Sequence, residues 1–178
     1  MLIAREKRRE NIAEYILYMW QIEDMIRAYN FDIDKIEANI VSKYDQPGEV
    51  KNKIREWYTD LIIMMKQEGI NESGHLKFIN ELVADLYKFH LRLMDSPDEN
   101  KYREIFNWAD ASIKEFRKKL DQKNANDIEV CFIALYGLLL MRLKGEKVSE
   151  ETTHAMQNFS NLLALLAGKF KQWEEGGR

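Results

Sequence analysis

The stretch Asn11–Arg27, NIAEYILYMWQIEDMIR, decides the fold. Its apolar side chains (Ile12, Tyr15, Ile16, Leu17, Tyr18, Met19, Trp20, Ile22) point in every direction around a helix of 3.6 residues per turn, where a surface helix would show one stripe. Such a helix must be surrounded by other helices. It must also house Gln21, Glu23, Asp24 and Arg27, polar groups that are costly to bury without partners.

A second stretch of the same kind, Val130–Met141 (VCFIALYGLLLM), is apolar throughout and is closed by Arg142. Gly137 inside it costs about 1 kcal/mol of helix propensity relative to alanine, so its use predicts a close approach by another backbone. Two helices that read as apolar all round, at about 11–28 and 127–144, are expected at the centre of an all-α bundle, packed together. One-sided helices flank them, for a total of six to seven.

Outward from these stretches the punctuation is clear. Helix A is expected from about Ile3 to Tyr29, with the charged REKRRE as its solvated first part. Asp32 reads as the N-cap of a short helix through Ile33, Ile36 and Ile40. Pro47 fits the first turn of the next helix, whose inner face carries Val50, Ile54, Leu61 and Met65, and Gly69 supplies its stop. A helix starting between Asn71 and His75 presents Leu76, Ile79, Val83, Leu86, His90 and Leu93. Ser96, Pro97 and Glu99 look like a cap, a first-turn proline and a capping-box acid for the helix through Tyr102, Ala109 and Ile113. Asn126 with Glu129 forms a second capping box, Gly145 ends the helix that follows, and Ser149 caps the last one. No alternation of strand period occurs over a useful length.

The chain has 178 residues, the size of one domain, so a single helical-bundle domain over 1–178 is expected. Only two prolines and eight glycines interrupt it. With 27 basic against 30 acidic residues, no global field favours nucleic acid or anionic lipid. The basic runs REKRRE and KEFRKK each carry a glutamate and belong to no binding motif, so no nucleic-acid partner is expected. Arg92 follows His90, where the helical ribonucleases of small-bundle fold place an arginine several residues before the histidine. The charged amino-terminal stretch resembles a signal peptide only superficially, and both apolar runs fall short of the roughly 18–20 residues that cross a bilayer, so no membrane association is expected. The lone Cys131, inside an apolar run, suits a reducing cytoplasm.

Three constellations could carry chemistry. Glu72 with His75, and Glu151 with His154, have the Glu-x-x-His spacing of di-iron bundles, but both stand at or before a helix start and Gly74 interrupts one, so no metal and no cofactor is expected. Glu23, Asp24, Arg27, His90 and Arg142 are polar groups on faces that should be buried. They form either a paired structural network or a pocket for a small polar ligand, the second being the competing reading of function. No nucleophile, base and orienting group share a recognisable spacing, so no catalytic residue is assigned. Finally, Trp57, Tyr58, Trp108 and Trp173 do not all fit the inner stripes, and aromatics at edges favour association with a protein partner or with a second copy.

NIAEYILYMWQIEDMIR, Gly74-His75-Leu76, and NDIEVCFIALYGLLLMRL with Ser149-Glu150-Glu151-Thr152 resemble an uncharacterised all-helical bacterial family of about 180 residues, a domain of unknown function. The resemblance covers essentially the whole chain. It implies an all-helical fold and carries no activity or catalytic residue with it. The leading expectation is a cytoplasmic, non-enzymatic helical bundle that acts through protein contacts, including self-association.

Overall fold

A computed structural model describes residues 2–121 and 124–176. Among these the chain forms eight α-helices and one 3-10 turn: α1 (Leu2–Glu10), α2 (Ile12–Ala28), α3 (Ile33–Asn39), the 3-10 turn Val41–Lys43, α4 (Gly48–Gln67), α5 (Lys77–Asp95), α6 (Asn100–Lys119), α7 (Asp127–Leu143) and α8 (Glu150–Glu175). The all-α class expected from the sequence holds, and the described residues contain no strand.

The additional helix comes from a break at Asn11. Its side-chain Oδ1 accepts the Ala13 amide at 3.0 Å, so Asn11 caps α2 where α1 would otherwise have continued. Asp32, Asn126 and Ser149 cap as expected, accepting from the backbone amides of Asp34 and Lys35, of Glu129, and of Thr152. Pro47 stands one position earlier than expected, as the residue before α4. Gly69, with φ +71°, closes α4: its amide donates to the Lys66 carbonyl and that of Ile70 to Met65, the paired bonds of a left-handed C-terminal turn.

The expected capping box at Ser96–Glu99 does not form, and α6 begins at Asn100 without a side-chain cap. Glu99 is committed elsewhere, to Lys169 at 2.7 Å, while Arg103 donates to the carbonyls of Ser96 and Pro97 and stabilises the turn in place of a cap. The basic end of α6 is neutralised locally. Lys114 pairs with Asp110, Lys119 with Glu115, and Arg117 with Asp127 and the Ala125 carbonyl.

The chain divides into two compact units. The first comprises residues up to Glu10 and Glu14–Glu81; the second comprises Asn11–Ala13 and the residues from Leu82 onward. In the first, α3, the 3-10 turn and α4 pack on one another, with Ile36, Val41, Tyr58, Leu61 and Met65 buried. Within the second, α6, α7 and α8 pack pairwise around Ala109, Ile113, Ile128, Phe132, Phe159, Leu162 and Leu166.

The two apolar helices are enclosed to different extents. On α2, Ile12, Ile16, Met19, Glu23 and Ile26 are buried, and Glu14, Gln21 and Ala28, each seven residues apart, form one exposed line. On α7 most of the first half is buried, while Leu135–Met141 is half-buried apart from the buried Leu138, and Leu143 is 72% exposed.

Candidate functional site

Glu23 occupies a position on α2 in register with Ile16, Met19 and Ile26, which draws its carboxylate beneath the surface until none of it is exposed. Both oxygens are satisfied by the segment that leads into α5. Oε1 accepts the Leu76 amide at 3.0 Å, and Oε2 lies 2.6 Å from Nδ1 of His75. Trp20, one turn earlier on α2, stacks on the imidazole with ring centroids 4.0 Å apart and planes 8° from parallel.

Asp24 and Arg27 continue the arrangement on the adjacent face. Their side chains pair at 2.7 Å, and the Arg27 guanidinium donates to the Ile70 carbonyl from Nε and Nη2, both at 3.3 Å, and to the Gly74 carbonyl. The end of α2 therefore grips residues 70–76 at both ends. Gly74, with φ +91°, turns the chain between the two grips. This clasp lies entirely within the first unit.

A buried carboxylate that orients an imidazole can prepare the other ring nitrogen to accept a proton or to bind a ligand. Here, among the described residues, the hydrogen bonds of His75 run to Glu23 and, through its carbonyl, to Asn80, so no hydroxyl or thiol nucleophile is engaged. Nor do the described residues bring together three or more His, Cys, Asp or Glu side chains in a way that could hold a metal ion. Glu72, Glu151 and His154 are exposed, the last two beside an open cleft of about 510 Å³ in the second unit that Phe116, Lys119 and Phe159 also line. The acid partner of His75 is thus Glu23 of α2, in place of Glu72.

His90 belongs to the second unit and is 2% exposed. Its Nδ1 lies 2.8 Å from the Tyr102 hydroxyl, and the rings of Tyr87 and Phe106 pack beside it. Burial holds its pKa below the ordinary 6.5, with Asp127 opposing the shift, and burial also raises the Tyr102 hydroxyl. The neutral imidazole shares one hydrogen bond with the Tyr102 hydroxyl, its direction set by which ring nitrogen carries the proton. Arg142, also in the second unit, is exposed. The five polar residues selected from the sequence accordingly fall in two units: Glu23, Asp24 and Arg27 in one, His90 and Arg142 in the other.

One side of α7 in the second unit is apolar and partly exposed. α7 packs on α6 and α8, with Ile128, Cys131, Phe132 and Leu138 buried, while the opposite side carries Ile133, Tyr136, Gly137 and Leu140, all half-buried, and ends at the exposed Leu143. At Gly137 a Cβ would meet nothing within 4 Å, so the close backbone approach expected there is not made within the described chain. The four aromatics singled out as edge residues divide: Tyr58 is fully buried, Trp57 and Trp173 are half-buried, and Trp108 is 57% exposed.

No helix among the described residues is long and apolar enough to cross a membrane. The family model described as "Domain of unknown function (DUF4924)" matches residues 1–177. No curated protein and no solved structure matches the chain.

Proposed function

The chain belongs to this family of domains of unknown function, and on that footing we propose that it is a non-enzymatic helical protein that acts through protein contacts, self-association among them. The observation that carries the reading is the outer side of α7, whose apolar residues are only partly buried and which ends in Leu143 at 72% exposure. Exposed large apolar side chains beside partly buried ones are common at interaction sites.

Two further features support it over a ligand pocket. The charged groups on α2 are satisfied by the chain itself, since Glu23 binds the Leu76 amide and His75, and Arg27 binds Asp24 and two carbonyls. His90 is likewise occupied by Tyr102. A polar ligand would have to break these bonds to bind. We place the protein in the bacterial cytoplasm, a reducing compartment in which the buried thiol of Cys131 stays unpaired.

Size-exclusion chromatography with light scattering tests the proposal on the full chain and on Leu140→Glu. The wild type should show a mass above that of one chain at high concentration, and the variant should remain closer to it. Identical masses for the two would count against the α7 face.

A further inference from the structure

The turn between α7 and α8 and the open cleft of the second unit complement one another in chemistry. At the end of α7, Leu143 is 72% exposed, and next to it in the chain the exposed Arg142, Lys144 and Lys147 set three cations against the single acid Glu146. An apolar tip flanked by long cationic side chains suits an apolar hollow with an acidic rim. The cleft of about 510 Å³ has that character. Its apolar wall includes the half-buried Phe116, set edge-to-face against the buried Phe159 with ring centroids 6.5 Å apart. Its rim carries Glu115, Glu150 and Glu151 against the single Lys119, which Glu115 holds at 2.8 Å. Glu150 and Glu151, in the first turn of α8, therefore make the excess charge of the rim negative.

We infer that Leu143 and its flanking cations enter this cleft on a second copy of the chain, the contact being made reciprocally about a two-fold axis. Leu143 does not line the cleft of its own chain, so the tip stays available to another. The turn runs directly into α8, whose first turns form one side of the cleft, so tip and hollow are neighbours on one surface of the unit. A two-fold interface uses the same patch on both subunits, and a patch that holds a tip and a matching hollow side by side meets that requirement.

The inference rests on the self-association proposed above and names the surfaces that make it, and charge reversal separates the two. Sedimentation velocity on the full chain compares the wild type with Leu143→Asp, with a reversed turn (Lys144→Glu and Lys147→Glu) and with a reversed cleft (Glu150→Lys and Glu151→Lys). Each should weaken self-association by about tenfold or more, the first by losing the apolar tip and the others by bringing like charges together at two symmetric points. An equimolar mixture of the reversed-turn and reversed-cleft chains restores opposite charges at both contacts and should associate to within about threefold of the wild type. Recovery in the mixture is informative because the reversed cleft also places cations at the positive end of α8, a cost that a partner chain does not remove.

Leu143 and the two lysines of the turn are exposed, so their variants test the contact without disturbing the core. Wild-type association in both Leu143→Asp and the reversed turn would overturn this pairing and leave self-association standing, as would a mixture that associates no better than its components. A chain that remains monomeric at every concentration would overturn both.

Discussion

Glu23 and His75, 52 residues apart in the chain, meet at 2.6 Å between Oε2 and Nδ1, with the carboxylate fully shielded and the imidazole side chain 27% exposed. This contact ties the end of α2 to the start of α5. Removing one member of a buried pair costs more than the pair contributes, because the other is left without a partner. Glu23→Ala should therefore lower stability by about 3 kcal/mol, as it orphans both the Leu76 amide and the His75 Nδ1. Glu23→Gln retains an oxygen for the amide and should cost about 1 kcal/mol. Urea denaturation followed by circular dichroism compares them, and equal losses would show that the charge-independent hydrogen bond is not what matters.

Arg27 grips the same segment through a planar fork that reaches Asp24 and the carbonyls of Ile70 and Gly74. A lysine is a single point donor and cannot span these acceptors. Arg27→Lys should expose residues 70–76 to faster proteolysis and faster hydrogen exchange, with protection in α8 unchanged. Hydrogen exchange with mass spectrometry resolves the two regions, and uniform loss of protection would show a global effect instead of a released clasp.

The buried His90 sets a pH dependence whose sign follows from its lowered pKa. The unfolded chain takes up a proton near the ordinary 6.5, while the folded state resists it, so between those values the unfolded state holds more protons. The contribution of His90 to stability is complete above the unfolded pKa and is lost as pH falls through 6.5 toward the lower folded value. His90→Gln, which keeps a side-chain amide for Tyr102, should lose less stability than the wild type between about pH 7.5 and about pH 5. Parallel slopes for the two proteins would remove His90 from this account.

Much of the local punctuation was legible because caps act over two or three residues. Asp32, Asn126 and Ser149 each bond an amide within that distance. The break at Asn11 was missed because apolar residues continue beyond it, and the failure at Ser96–Glu99 arose because Lys169, 70 residues away, takes the acid. The candidate site had the same limit. Burial of Glu23 followed from helical spacing, but its partner did not, since nothing local to α2 or to His75 encodes their meeting. His75 was instead grouped with Glu72 by sequence spacing.

Gly137 offers a test of opposite sign to most glycine replacements. Because a Cβ there meets nothing within 4 Å, Gly137→Ala should stabilise the isolated chain by about 0.5–1 kcal/mol through helix propensity alone. Thermal unfolding at concentrations low enough to avoid association measures it, and a destabilised variant would show that another backbone already occupies the space.

Cys131 is fully buried on α7, and burial raises its thiol pKa. The thiolate needed for reaction is therefore scarce as well as shielded. A thiol reagent such as Ellman's should react with the native protein at the rate of global opening and rapidly in denaturant. Fast reaction in native buffer would place the thiol at the surface.

The central claim is that this chain works by binding protein, its own copies included. Sedimentation equilibrium of the unmodified chain over a wide range of concentration tests it most directly. The mass should rise with concentration from the 21.2 kDa of one chain toward twice that value. A mass that stays at 21.2 kDa up to the highest concentration attainable would contradict it.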